Sequence, residues 1–137
     1  MNSSGKSLVL YSDGSSRGNP GPAAIGVVML DGTGTTVGQY SARIGEATNN
    51  QAEYRALIAG LELALKLGAK RVDINLDSEL VAKQLKGEYR VKNAGLKPLF
   101  HQASQLLKKF DSFSIAHLPR RGNKRAHELA RQRLDAL

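Results

Sequence analysis

An α/β fold is predicted by three features of the 137-residue chain. Strand-like and helix-like periods follow one another in the order βββαβααβα, with no internal repeat, linker or low-complexity tract. The length suits one domain with a sizeable core, taken as residues 1–137. A content of 41% hydrophobic and 23% charged residues excludes wholesale disorder and a coiled-coil rod.

Ser7 to Asp13 reads as a strand, because LVLY is apolar and stops at the turn-forming run Gly14, Ser15, Ser16, Gly18, Asn19, Pro20, Gly21. Ala24 to Leu30 is a second strand. Asp31-Gly32-Thr33-Gly34 turns the chain into a third, Thr36 to Ile44, so the first three form a meander. After Thr48 the period changes: Ala52, Ala56, Ala59 and Leu63 share a stripe, and residues 50–67 form a helix ended by Gly68. Val72, Ile74 and Leu76 alternate with Asp73, Asn75 and Asp77 in a fourth strand, and Ser78 caps a short helix through Lys86. Gly87 to Gly95 is a loop. Leu96 to Phe110 is helical, with Pro98 tolerated in the first turn. Ser112 to Leu118 is a fifth strand, Pro119 to Asn123 a loop, and Lys124 to Ala136 a closing helix.

The order fixes geometry. With the meander running up, down, up, the long helix descends from the upper edge, so the fourth strand ascends parallel to the first. Asp13 and Asp77 then end at one edge, and Glu53, in the first turn of the long helix, starts there. Beyond the carboxyl ends of parallel strands is where open sheets bind ligands. A fifth strand parallel to the fourth brings His127 to the same place.

Charge and composition narrow the chemistry. No cysteine means no disulfide, thiolate zinc site or thiol nucleophile. Twenty Lys and Arg against twelve Asp and Glu give +8, which favours a polyanionic partner. No apolar run approaches the roughly 20 residues that span a bilayer, and MNSSGKSLVLYSD lacks the apolar region and cleavage site of a signal peptide. The expected location is the cytoplasm, with no membrane partner.

Each acidic residue has a bland account alone: Asp13 as a turn cap, Glu53 as a complement to the helix dipole, Asp77 with Ser78 as a capping pair. Together, three carboxylates on one edge of a basic protein repel one another unless cations are bound. Oxygen ligands suit Mg²⁺ or Mn²⁺, and two such ions about 4 Å apart serve in-line phosphodiester displacement.

The segments YSDGSSRGNPGPAAIGVV, TNNQAEYRALIAGLELAL, INLDSELVAKQLKGEYRVKN and LPRRGNKRAHELARQRL resemble, in order and over nearly the whole chain, the four blocks of type 1 ribonuclease H. The resemblance implies a ribonuclease H-like fold, a five-stranded mixed sheet of three antiparallel strands plus two parallel ones flanked by helices. It implies an endoribonuclease that cuts the RNA strand of RNA/DNA hybrids with two divalent cations. Asp13 would bridge both ions, and Glu53 and Asp77 would each hold one. The family's closing block resembles N-x-x-A-D-x-L-A, whereas Asn123 to Ala130 here puts His127 at the Asp position. His127 is then either a ligand through neutral imidazole, which implies a preference for Mn²⁺, or a group that only positions water. Glu128, about 100° round the helix, is a poor replacement. Where some members carry a loop histidine, this chain has Arg120 and Arg121, and His117 falls on the strand.

The same resemblance turns Asn19, Asn49 and Glu79 toward the hybrid's minor groove, gives Thr48 and Asn50 a DNA phosphate, and adds Ser16 to the substrate-binding set. Amide and hydroxyl groups suit 2′-OH recognition, although capping is the alternative for Asn49 and Asn50. Only Gly87 to Gly95, with Arg90 and Lys92, stands where strong binders insert a basic protrusion. Duplex RNA is a further expected partner, and a monomer the expected state. Competing functions are a catalytically weak hybrid or duplex-RNA binding module and a DNA-acting resolvase or integrase core. Gly5-Lys6-Ser7 is no P-loop, lacking a preceding strand, and Asp73-x-Asn75-x-Asp77 is no calcium loop, because its alternation is that of a strand facing solvent at Asp73.

Overall fold

The computed structural model describes residues 6–136. The first five residues of the leader reading, with Gly5 of the P-loop mimic, lie outside the described residues. Elements follow the predicted order: β1 (Lys6–Ser16), β2 (Gly21–Leu30), β3 (Thr36–Ala47), α1 (Asn49–Lys66), β4 (Ala69–Leu76), α2 (Glu79–Leu85), α3 (Lys97–Leu107), β5 (Ser112–His117) and α4 (Lys124–Asp135). A short 3₁₀ turn, Arg120–Gly122, precedes α4.

The sheet has the order β3-β2-β1-β4-β5. β1 to β3 pair antiparallel, while β4 pairs parallel with both β1 and β5. This is the mixed five-stranded sheet the sequence implied. Its two faces follow from side-chain alternation. Leu8 and Leu10 of β1, Val27 and Met29 of β2, and Val72, Ile74 and Leu76 of β4 pack against Tyr54, Leu57 and Leu61 of α1, with Val81, Ala103 and Leu107 closing the core from α2 and α3. α4 covers the other face through small buried residues, Ala126 and Ala130, and Leu134. Arg43 of β3 donates from Nε to the Arg133 carbonyl at 2.9 Å, Arg133 reaches the Ser41 hydroxyl, and Arg17 pairs with Asp135, so the end of α4 is tied down.

Two local expectations are corrected. Gly14, Ser15 and Ser16 are strand, not turn, because β1 stays paired with β2 through Ser16↔Ala23 and the Arg17 N–H donates to the Pro22 carbonyl at 2.8 Å. The turn shrinks to residues 17–20, where Gly18 takes φ +112°. α1 begins at Asn49, one residue early, so Glu53 is its fifth residue and lies past the first turn; the dipole account of it fails. No helix among the described residues is long and apolar enough to cross a membrane.

Candidate active site

Parallel pairing of β1 and β4 aligns Ser12 with Leu76. One step further along each chain stand Asp13 and Asp77, so register alone brings two carboxylates side by side. Glu53 arrives from α1. Carboxylate oxygens of Asp13, Glu53 and Asp77 all lie within 4.8 Å of one another.

Two glycines make this approach physical. A Cβ on Gly14 would stand 2.1 Å from the Ala52 carbonyl oxygen, and one on Gly26 would stand 2.1 Å from that of Ala126. Only the missing side chains let α1 and α4 press onto the sheet next to Asp13, which pairs with Gly26. α1 thereby delivers Glu53 so that the Gly14 N–H donates to its Oε1 at 2.6 Å. α4 delivers His127, whose Nδ1 is 2.9 Å from Asp13 Oδ2.

The electrostatics are those of crowded, dehydrated acids. Asp13 is 2% exposed, and burial, then the charge of Asp77, push its carboxyl up to about 6 against a downward pull from His127. Burial and the charges of Asp13 and Asp77 push Glu53 well above the usual carboxylate range. Asp77 Oδ2 is buried without a hydrogen-bond donor, and Arg120 Nε stands 3.9 Å from it. Three converging carboxylate oxygens, beside the orphan acceptor Asp77 Oδ2, fit a hard divalent cation.

The remaining sequence-derived residues fall into three places. Ser16, Asn19 and Asn49 form one polar unit: Asn49 Oδ1 accepts the Ser16 N–H at 2.8 Å, Asn19 Oδ1 accepts the Asn49 N–H at 3.0 Å, and the Ser16 hydroxyl donates to the Ala47 carbonyl. Thr48, rather than Asn49 or Asn50, caps α1, its hydroxyl accepting the Gln51 N–H while Gln51 Oε1 accepts that of Thr48. Asn50 is the half-buried second residue of the helix. Glu79 is exposed at the start of α2 and pairs with Lys83 at 3.5 Å. His117 closes β5, and Asp73 is bound to Arg71 of its own strand β4 and to Ser114 of β5.

Sequence reasoning missed the partners of the carboxylates. Gly14 as a donor to Glu53 and Arg120 as the cation beside Asp77 are contacts across the fold. It missed as well the buried bond from Tyr54, next to Glu53, to Gln84 Oε1 at 2.6 Å, which ties α1 to α2. The glycine directly after Asp13 was the available signal for the first. Nothing local announces the others.

A family model described as reverse transcriptase-like matches residues 11–133. Ribonuclease HI of Halobacterium salinarum is 49% identical over 125 residues, 91% of this chain and 63% of that relative, so the chain spans less than two thirds of its length. The crystal structure of ribonuclease H1 from the same archaeon has a TM-score of 0.93 at 46% identity, covering 96% of this chain and 99% of that one. LC11 ribonuclease H1 in complex with an RNA/DNA hybrid gives a TM-score of 0.88 at 42% identity, covering 94% and 97%.

Proposed function

The chain belongs to the type 1 ribonuclease H family, and on that premise we propose that it is an endoribonuclease hydrolysing the RNA strand of RNA/DNA hybrids. It uses two divalent cations, Mg²⁺ or Mn²⁺, and works in the cytoplasm as a monomeric domain of residues 1–137. The observation that carries this reading is the cluster of Asp13, Glu53 and Asp77, which brings one oxygen of each carboxylate within 4.8 Å of the others and includes, in Asp77, a buried oxygen without a donor. The hybrid as substrate is supported by the complex that the LC11 relative forms with one.

Asp13, Glu53 and Asp77, with the His127 imidazole beside Asp13, would hold the ions. Bound divalent cations supply activation of water and neutralisation of the leaving oxygen in an in-line phosphodiester hydrolysis. The chain's own residues prepare that chemistry. Gly14 fixes Glu53 through its N–H, and His127 holds one oxygen of Asp13. Burial raises the carboxyls of Asp13 and Glu53, so divalent ions would compete with protons for them. Ser16, Asn19 and Asn49 offer the hybrid's minor groove a linked polar surface for 2′-OH groups, Thr48 and Asn50 take a DNA phosphate at the start of α1, and Glu79 edges the groove.

One incubation tests the reading: labelled RNA/DNA hybrid, duplex RNA and duplex DNA, each with Mg²⁺ or Mn²⁺. Internal cuts in the RNA strand of the hybrid are expected. Hybrid binding without cleavage would replace the enzyme by a binding module, and cleavage of duplex DNA would point to a resolvase-like nuclease.

A further inference from the structure

Each carboxylate of the cluster has one positive or donor group. Asp13 has His127, Glu53 has the Gly14 N–H, and Asp77 has Arg120. The third is different in kind. Arg120 Nε stands 3.9 Å from Asp77 Oδ2, beyond hydrogen-bond range, so attraction between them is purely coulombic. The Asp77 side chain is 7% exposed and the Arg120 side chain 72%: a buried anion faces a solvent-exposed cation. Arg120 sits on the 3₁₀ turn directly before α4, and among the described residues Asp77 is the one carboxylate within ion-pair distance of it.

We propose that Arg120 is a tethered counter-cation for Asp77, which it neutralises while the cluster is empty and yields when a divalent ion arrives, so that Arg120 sets the ion affinity of the free protein. The inference rests on reading Asp13, Glu53 and Asp77 as ion ligands. The physical reason is competition. A divalent ion on the Asp77 carboxylate and a guanidinium 3.9 Å from its Oδ2 repel each other, so ion binding includes the work of parting Arg120 from its anion. An exposed, long side chain without a hydrogen bond to hold it leaves at small cost, which makes the competition a tuning device rather than a block.

The test is calorimetric titration of Mn²⁺ alone into the full chain, without nucleic acid, for wild type, Arg120→Ala, Arg120→Lys and Arg121→Ala, with Asp77→Asn as the ligand control. Arg120→Ala should bind Mn²⁺ roughly three- to tenfold more tightly. Arg120→Lys, which keeps the charge, should stay nearer wild type. Arg121→Ala, an equal loss of charge from the same turn, should shift affinity less than about twofold. Unchanged or weaker binding by Arg120→Ala overturns the proposal, as does equal tightening by Arg120→Ala and Arg121→Ala, which would reduce the effect to net charge. The two readings fail separately. Wild type that binds no Mn²⁺, or binds it no better than Asp77→Asn, removes the ion-site reading and this inference with it, whereas a loss confined to Asp77→Asn leaves the site standing and lets the arginine variants decide.

Discussion

At the scale of single residues, the acids of the cluster cost the protein stability that cations return. Asp13→Asn and Asp77→Asn should each abolish hybrid cleavage and preserve the fold. In the absence of divalent ions Asp13→Asn should raise stability, by on the order of 1 kcal/mol, and Tm with it, because it removes a buried charge that faces Asp77. pH gives the sign. The Asp13 carboxyl rises from 3.8 to about 6 on folding, so the native state holds the proton more tightly. That contribution is full below about pH 4 and disappears as pH climbs through 6. Thermal melts in chelator should therefore show wild type losing ground to Asp13→Asn between pH 4 and 7, and parallel profiles would contradict the burial argument. His127 makes a second residue-level prediction. Imidazole in place of a carboxylate disfavours Mg²⁺ more than Mn²⁺, so cleavage should be faster with Mn²⁺, and His127→Asp should narrow the gap. A metal titration in which wild type, His127→Asp and His127→Ala share one Mn²⁺ to Mg²⁺ ratio would make the ring a bystander.

Among the elements, close contact between backbones is what the site depends on. Gly14→Ala should cost about 3 kcal/mol or more and reduce activity beyond the loss of folded protein, since α1 must back away from β1 and carry Glu53 with it. Denaturant melts and kcat on folded protein check the two parts. The same positions show what a sequence can and cannot say. Periodicity revealed every strand and helix because it reports which face is buried, and the upper edge emerged from connection rules applied to that order. Strand ends were less legible. Gly14 and Ser15 look like turn residues, yet cross-strand partners Ile25 and Ala24 keep them extended. Thr48 won the cap over two asparagines because Gln51 completes a reciprocal pair with it. Asp13, Glu53 and Asp77 were visible as acids at element boundaries; their partners, supplied from residues tens of positions away, were not.

For the whole molecule, the charge of +8 surrounds an acidic centre and has no basic protrusion to concentrate it. Residues 87–95 form a short connection between α2 and α3 without a helix of their own. On the proposed function phosphate contacts would be dispersed, and hybrid affinity should fall about a hundredfold between 50 and 200 mM salt if roughly four phosphates are neutralised. Fluorescence anisotropy across that range checks it, and a flat profile would demand contacts to bases or sugars instead. The glycines at 14 and 26 carry one more implication. They set two helix-to-sheet spacings, one on each face of the sheet, by main chain meeting main chain, like gauge blocks whose thickness no side chain alters. The core beneath α1 can therefore drift in sequence, trading one aliphatic residue for another of similar volume, while the span from Glu53 to His127 keeps its calibration. Durability and the geometry of the proposed site are separately adjustable here, and repacking around Leu57 or Leu61 is the place to look for a hardier protein that keeps that geometry.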